Sequence, residues 1–135
     1  MNPVLENPFA KEPTFMLPVE SPLDREVLDE TAEFGLDDLQ ETIAMYLKQA
    51  DEIMGGLRTA VQAGAANNVN ELAHKLAGSS AVCGVAAMVQ PLRALEQHGR
   101  EGRLYGSDEL LAETTERLEL CRRLLADYLA EKGCR

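Results

Sequence analysis

The chain has 135 residues, of which 45% are hydrophobic and 4% aromatic, and its formal net charge is −10 at pH 7. A chain of this length supports one hydrophobic core, so we expect one compact domain. The acidic balance argues against a nucleic-acid partner, because phosphate binding depends on clustered lysine and arginine, and it also disfavours an anionic membrane surface.

The sequence contains no apolar run approaching the roughly 20 residues that span a bilayer. It also begins without the basic start and continuous apolar stretch of a signal peptide. We therefore expect a cytoplasmic protein, and a monomer. Its cysteines, Cys83, Cys121 and Cys134, are odd in number and lack the spacing of metal ligands, so we predict neither a disulfide nor a metal site.

Residues 1–20 are interrupted by prolines at regular intervals, and we predict a flexible or extended tail there: Pro3, Pro8, Pro13 and Pro18. Ser21 followed by Pro22 is typical of a helix start, with Ser21 as the N-cap. We predict a short helix from this point to about Ala32, ended by Gly35.

Two long amphipathic helices are predicted next. Apolar residues recur at steps of three and four from Leu36 to Val61, as they do on the buried face of a helix. After a connection near Gly64, Asn68 and Glu71 resemble a capping pair that opens a helix ending at Gly84.

A further helix is predicted from about Val85 to Gln97, with a kink at Pro91 in its interior. Gly99, Gly102 and Gly106 are predicted to form a loop. The last helix is predicted from Ser107 to about Lys132.

The predicted fold class is all-α. We expect residues 21–135 to form an up-down-up-down four-helix bundle, with the short N-terminal helix as a cap across one end.

His74 is the residue that most directly indicates a function. At roughly 100° per residue, it points about 160° away from the centre of the mainly apolar stripe formed by Val69, Leu72, Leu76, Ser80 and Cys83. The residues near it on the following turns, Ala77, Gly78 and Ala81, are all small. We therefore expect an exposed histidine on a bare helix surface that another protein can approach closely.

The segment around His74, together with residues further along the chain, resembles the histidine-containing phosphotransfer (HPt) domains of bacterial and fungal phosphorelays. The residues that carry the resemblance are Ala73-His74-Lys75-Leu76-Ala77-Gly78-Ser79-Ser80, Gly84, Leu95-Glu96 and Arg100. The resemblance implies a four-helix bundle whose exposed histidine accepts a phosphoryl group from a receiver-domain aspartate and passes it to another receiver.

The resemblance also implies a phosphocarrier that is not an enzyme and holds no cofactor. The receiver supplies the aspartate, the Mg²⁺ and the cationic groups. The partners implied are the receiver domains of a hybrid sensor histidine kinase and of response regulators.

Roles within the site follow from the same resemblance. His74 is the phosphoacceptor, and Glu96 is the candidate acceptor of a hydrogen bond from its other ring nitrogen. Arg100, one turn beyond Glu96, is the candidate cation near the phosphoryl group. Lys75 is a further basic residue beside the histidine, although it points about 100° away from it.

Ala77, Gly78 and Ala81 are the predicted docking residues, with Gly78 matching the family glycine that lets the receiver come close. Ala77 stands where most members carry a lysine facing the phosphoryl group. This departure supports an alternative function, that of a helical adaptor that binds a receiver or kinase domain without accepting phosphate. His98 lacks such neighbours and is predicted to be a surface residue; neither histidine has further ligands at the helical spacing of a metal site.

Overall fold

The structure, a computed structural model, describes residues 21–134. These residues form five α-helices and one short 3-10 helix, without a strand: α1 (Arg25–Ala32), α2 (Leu36–Ala63), α3 (Ala66–Val82), the 3-10 helix Ala86–Met88, α4 (Val89–Glu101) and α5 (Ser107–Glu131). The predicted all-α class is confirmed. The tail predicted at residues 1–20 lies outside the described residues.

The start of α1 differs from the prediction. Asp24, not Ser21, is the N-cap, and its carboxylate accepts a hydrogen bond from the backbone N–H of Val27 at 3.3 Å. The Ser21 hydroxyl donates instead to the carbonyl of Leu23 at 3.1 Å. Asp24 is the better cap because an ionised acceptor at a helix N-terminus also interacts favourably with the helix dipole.

The capping pair predicted for α3 is also wrong. The helix begins at Ala66, two residues before Asn68, and no side chain caps its first turn. Its end agrees with the prediction, since α3 stops at Val82 and Gly84 takes a left-handed conformation with φ of 78°. Gly84 also contacts the start of α1, because its carbonyl accepts a hydrogen bond from the N–H of Asp24 at 2.8 Å.

The fourth helix begins later and ends later than predicted. Because α4 starts at Val89, Pro91 lies in its first turn and not in its interior. A proline there removes no intrahelical hydrogen bond, so the reason for predicting a kink disappears. Gly99, predicted in a loop, is a buried residue of α4, and the helix ends at Gly102 with φ of 70°.

The four long helices enclose the core. Helix α3 packs against α2 and most extensively against α4, and α5 packs against both α2 and α4. Each long helix therefore meets two others and buries a broad part of its surface. The largest fully buried side chains are Leu28, Leu39, Met54, Leu57, Val69, Leu76, Val85, Met88, Leu92, Leu95, Leu125 and Tyr128.

Candidate phosphotransfer site

His74 lies near the middle of α3 and projects into solvent. Its side chain is 67% exposed. The predicted outward orientation is confirmed, because the buried residues of this helix lie on its other sides: Val69, Ala73, Leu76, Ala77 and Ser80. Helix α3 thus presents the imidazole to an approaching molecule.

Glu96 on α4 holds one edge of the imidazole. Its Oε2 lies 2.8 Å from His74 Nδ1, and the Glu96 side chain is only 9% exposed. The structure therefore brings together the two residues that the sequence pairs across 22 positions. A buried carboxylate is a fixed partner, because it loses the freedom to rotate that an exposed side chain keeps.

Two arginines of α4 bind the same carboxylate. Arg93 Nη1 donates to Glu96 Oε1 at 2.7 Å, and Arg100 Nη2 donates to Oε2 at 3.1 Å. The sequence predicts Arg100 beside Glu96, whereas Arg93 is not among the predicted site residues. The sequence does contain a signal for it, because residues three and four apart on a helix are neighbours and Arg93, Glu96 and Arg100 have those spacings.

Arg93 is the main group that keeps Glu96 ionised. The pKa of Glu96 is lowered, chiefly by the hydrogen bond from Arg93; burial of the carboxyl opposes this shift, and the bond to His74 adds to it. An ionised carboxylate can only accept hydrogen bonds. Its short contact with His74 therefore assigns the ring proton to Nδ1.

The opposite ring nitrogen is left available. In the neutral ring with its proton on Nδ1, Nε2 carries the lone pair, and Nε2 has no hydrogen-bond partner among residues 21–134. A neutral imidazole oriented in this way presents a nucleophile to solvent.

Lys75 does not join this cluster. It is exposed, and its side chain makes no hydrogen bond or ion pair within the described part of the chain.

The predicted docking residues differ in exposure. Ala81 is exposed and Gly78 is partly exposed, with open space where a Gly78 side chain would lie. Ala77 is fully buried, so the prediction that it contributes to a docking surface is wrong. The apolar face of α3 is wider than the sequence indicates, because the helix packs against both α2 and α4.

An apolar groove runs beside Gly78 between α2 and α3. It has a volume of about 470 Å³ and is lined by Thr42, Met45, Tyr46, Gln49, Gly78, Ser79, Val82 and Cys83. Met45 and Val82 are 65% and 76% exposed. Beneath it, the buried hydroxyls of Tyr46 and Ser80 lie 2.6 Å apart and join the two helices.

His98 lies outside the site. It is partly buried, and its Nδ1 lies 2.9 Å from the hydroxyl of Ser107 at the start of α5. The prediction of a plain surface residue is therefore incomplete, because this histidine joins α4 to α5.

Among residues 21–134, no three or more histidine, cysteine, aspartate or glutamate side chains are grouped so as to hold a metal ion. None of the helices in this range combines the length and the apolar character of a membrane span.

Comparisons with known proteins give the family and the fold that the chain resembles. The family model of the Hpt domain matches residues 41–131. The fold is similar to that of histidine-containing phosphotransfer protein B (HptB) from Pseudomonas aeruginosa PAO1, with a TM-score of 0.77 and 24% sequence identity over 82% of this chain and 96% of that one. The comparison with curated proteins finds no significant match. The family match spans most of α2 and all of α3, α4 and α5, and on this ground the chain belongs to the Hpt domain family, whose role is histidine phosphotransfer.

Proposed function

We propose that this protein is a phosphorelay intermediate that accepts a phosphoryl group on His74 from a receiver-domain aspartate and passes it to a response regulator. The observation that carries the proposal is the hydrogen bonding and exposure of the His74 ring. Its Nδ1 is 2.8 Å from the ionised, buried Glu96, and the ring is otherwise exposed. We expect the described helices to act as an up-down-up-down bundle that holds this pair in place.

The transfer makes one bond and breaks one. Nε2 of His74 attacks the phosphorus in line, the Nε2–P bond forms, and the P–O bond to the aspartate breaks to release its carboxylate. The Nδ1 proton stays on the ring, where Glu96 stabilises the positive charge that develops. In the reverse direction, an aspartate of the second receiver attacks and neutral His74 leaves. The protein contributes positioning and electrostatics, and the receiver supplies the Mg²⁺ and further cations.

We propose that the receiver docks over Gly78 and Ala81 and against the apolar groove beside them. Gly78 leaves open space one turn from His74, and Met45 and Val82 offer exposed apolar surface at the same junction of α2 and α3. An apolar patch of this kind, with a polar group at its border, is typical of a protein interaction site.

Phosphoramidate tests the phosphoacceptor without a cognate partner, because its P–N bond can break to release ammonia as the Nε2–P bond forms. We expect the parent protein to gain one acid-labile phosphoryl group, measured by intact-mass spectrometry, and His74→Gln to gain none. His98→Gln is the matched control, since His98 is the other histidine of the chain, and it should be labelled like the parent. Labelling of His74→Gln would contradict the assignment.

The adaptor function remains the alternative, favoured by Ala77 at the position where most family members carry a lysine. An adaptor would bind a receiver domain while taking no phosphate from phosphoramidate or from a phosphorylated receiver. Binding titrations alongside the labelling experiment separate the two functions.

A further inference from the structure

Arg93 lies close to both Glu96 and His74. Its Nη1 donates to Glu96 Oε1 at 2.7 Å, and the same nitrogen lies 3.4 Å from His74 Nδ1. The second approach is not a hydrogen bond, because Nδ1 carries a proton and guanidinium nitrogens only donate. Arg93 is therefore bonded to the carboxylate while its charge lies beside the imidazole.

The two oxygens of Glu96 have different partners. Oε1 is bound by Arg93, whereas Oε2 is shared by His74 and Arg100. With Oε1 held, the carboxylate plane is fixed and Oε2 stays directed at Nδ1. Arg100 cannot fix the plane in the same way, because it binds the oxygen that already faces the histidine and also donates to Gln97 at 2.7 Å.

We propose that Arg93 is a positioning residue for phosphotransfer: by binding Glu96 Oε1 it holds the carboxylate with Oε2 directed at Nδ1, so that His74 keeps its proton on Nδ1 and its lone pair on Nε2. This inference rests on the function proposed above. Electrostatics supports the same role, because the hydrogen bond from Arg93 is the largest cause of the lowered pKa of Glu96.

The position of Arg93 also bears on the absence, at Ala77, of the lysine that most family members carry. A phosphoryl group on His74 brings negative charge next to a carboxylate, on a chain whose net charge is already −10. Arg93 neutralises that carboxylate through Oε1 while its Nη1 lies 3.4 Å from Nδ1 of the ring, and its own side chain is 46% exposed. An arginine of α4 thus supplies a cation beside the ring, on a chain that has Ala77 where relatives have a lysine on α3.

The test begins with the unphosphorylated full-length protein. Long-range ¹H–¹⁵N spectra of ¹⁵N-histidine-labelled protein distinguish a ring protonated on Nδ1 from one protonated on Nε2. The two histidines are assigned by comparison with His74→Gln. We expect the parent to show His74 protonated on Nδ1, Arg93→Ala to shift it toward the Nε2-protonated form, and Arg93→Lys to retain most of the parent signal.

Reactivity should follow the tautomer. We expect the initial rate of phosphoramidate labelling to fall roughly tenfold in Arg93→Ala, the size expected for loss of one charge-assisted hydrogen bond. Arg93→Lys should recover much of that rate. Arg103→Ala is the matched control, because Arg103 is exposed just beyond α4 and its side chain makes no hydrogen bond or ion pair within the described residues. It should behave like the parent in both measurements.

An unchanged tautomer in Arg93→Ala, or an equal loss of rate in Arg103→Ala, would overturn the proposal. Failure of Arg93→Lys to recover the tautomer or the rate would count against it equally. The tautomer is measured without phosphate, so it tests Arg93 even if the parent accepts no phosphoryl group. In that event the proposed function fails while the positioning role is still decided.

Discussion

Gly99 of α4 lies against the backbone of Asn70 in α3. A Cβ atom added to Gly99 would fall 2.5 Å from the amide nitrogen of Asn70 and 2.7 Å from the carbonyl oxygen of Ala66. Glu96 and His74 lie about one turn away on the same two helices. The contact at Gly99 is thus the close approach that allows a short acid side chain on α4 to reach the imidazole on α3.

We expect Gly99→Ala to lower the free energy of unfolding by about 1–3 kcal/mol, because the added methyl group meets backbone that cannot move without shifting a helix. Gly78→Ala is the control, since nothing lies near its Cβ position. It should raise the free energy of unfolding by about 1 kcal/mol through helix propensity. Urea denaturation measures both, and a stable Gly99→Ala would show that α3 and α4 can separate freely.

Helices could be predicted from the sequence where their signals lie in neighbouring residues of the same segment. Apolar residues at steps of three and four predicted α2, and Ser107 and Gly84 marked a start and an end correctly. Predictions failed where another helix decides the outcome. The prediction of a loop at Gly99 rests on the low helix propensity of glycine, which is a local property, whereas the contact of Gly99 with Asn70 depends on α3.

The same distinction holds within the site. Helical spacing pairs Glu96 with Arg100, the family resemblance pairs Glu96 with His74, and the structure brings the three residues together. The prediction that Ala77 lies on the docking surface is wrong because α2 and α4 together bury this residue, and a projection of α3 alone does not include those two helices. The role of Arg93 does not follow from helical spacing, because it depends on which oxygen of Glu96 the arginine binds.

We expect Gly78→Gln to keep or raise thermal stability while weakening the binding of a receiver domain. The substitution removes a helical glycine and places a side chain in the open space beside His74. Ala126→Gln is a control on α5, where an exposed residue is enlarged on a helix that does not form the groove. Thermal melts and binding titrations provide the measurements; equal binding by both variants would place the docking surface elsewhere.

The buried position of Ala77 changes what a lysine there should do. We expect Ala77→Lys to reduce the free energy of unfolding by about 1–3 kcal/mol, because a long side chain must be accommodated at a residue with no exposed surface. Ala81→Lys adds the same charge one turn further along α3 at an exposed residue and should change stability little. If both variants unfold at the same urea concentration as the parent, α3 has room at Ala77 that the packing does not indicate.

Acid should remove the stabilisation that Glu96 provides. Its pKa is lowered in the folded protein below the ordinary value of 4.5, so its contribution is present above that value and is lost as the pH falls through the folded pKa. We therefore expect the parent to exceed Glu96→Gln in stability by more at pH 7 than at about pH 3. Urea denaturation at the two pH values tests this, and an equal difference at both would contradict the linkage.

The last prediction concerns the two arginines that share Glu96. Arg100→Ala should slow phosphoramidate labelling less than Arg93→Ala, because Arg100 is 56% exposed and makes the longer bond to the carboxylate, 3.1 Å against 2.7 Å. The double variant should lose more than the product of the two single losses, because the arginine that remains in each single variant still restrains the carboxylate in part, whereas joint removal takes away both restraints. Contacts within one network typically couple by about 0.5–3 kcal/mol, which is large enough to measure as a departure from multiplicative rates. Multiplicative losses would mean that the arginines act independently, with Arg100 contributing through its charge and not through Glu96.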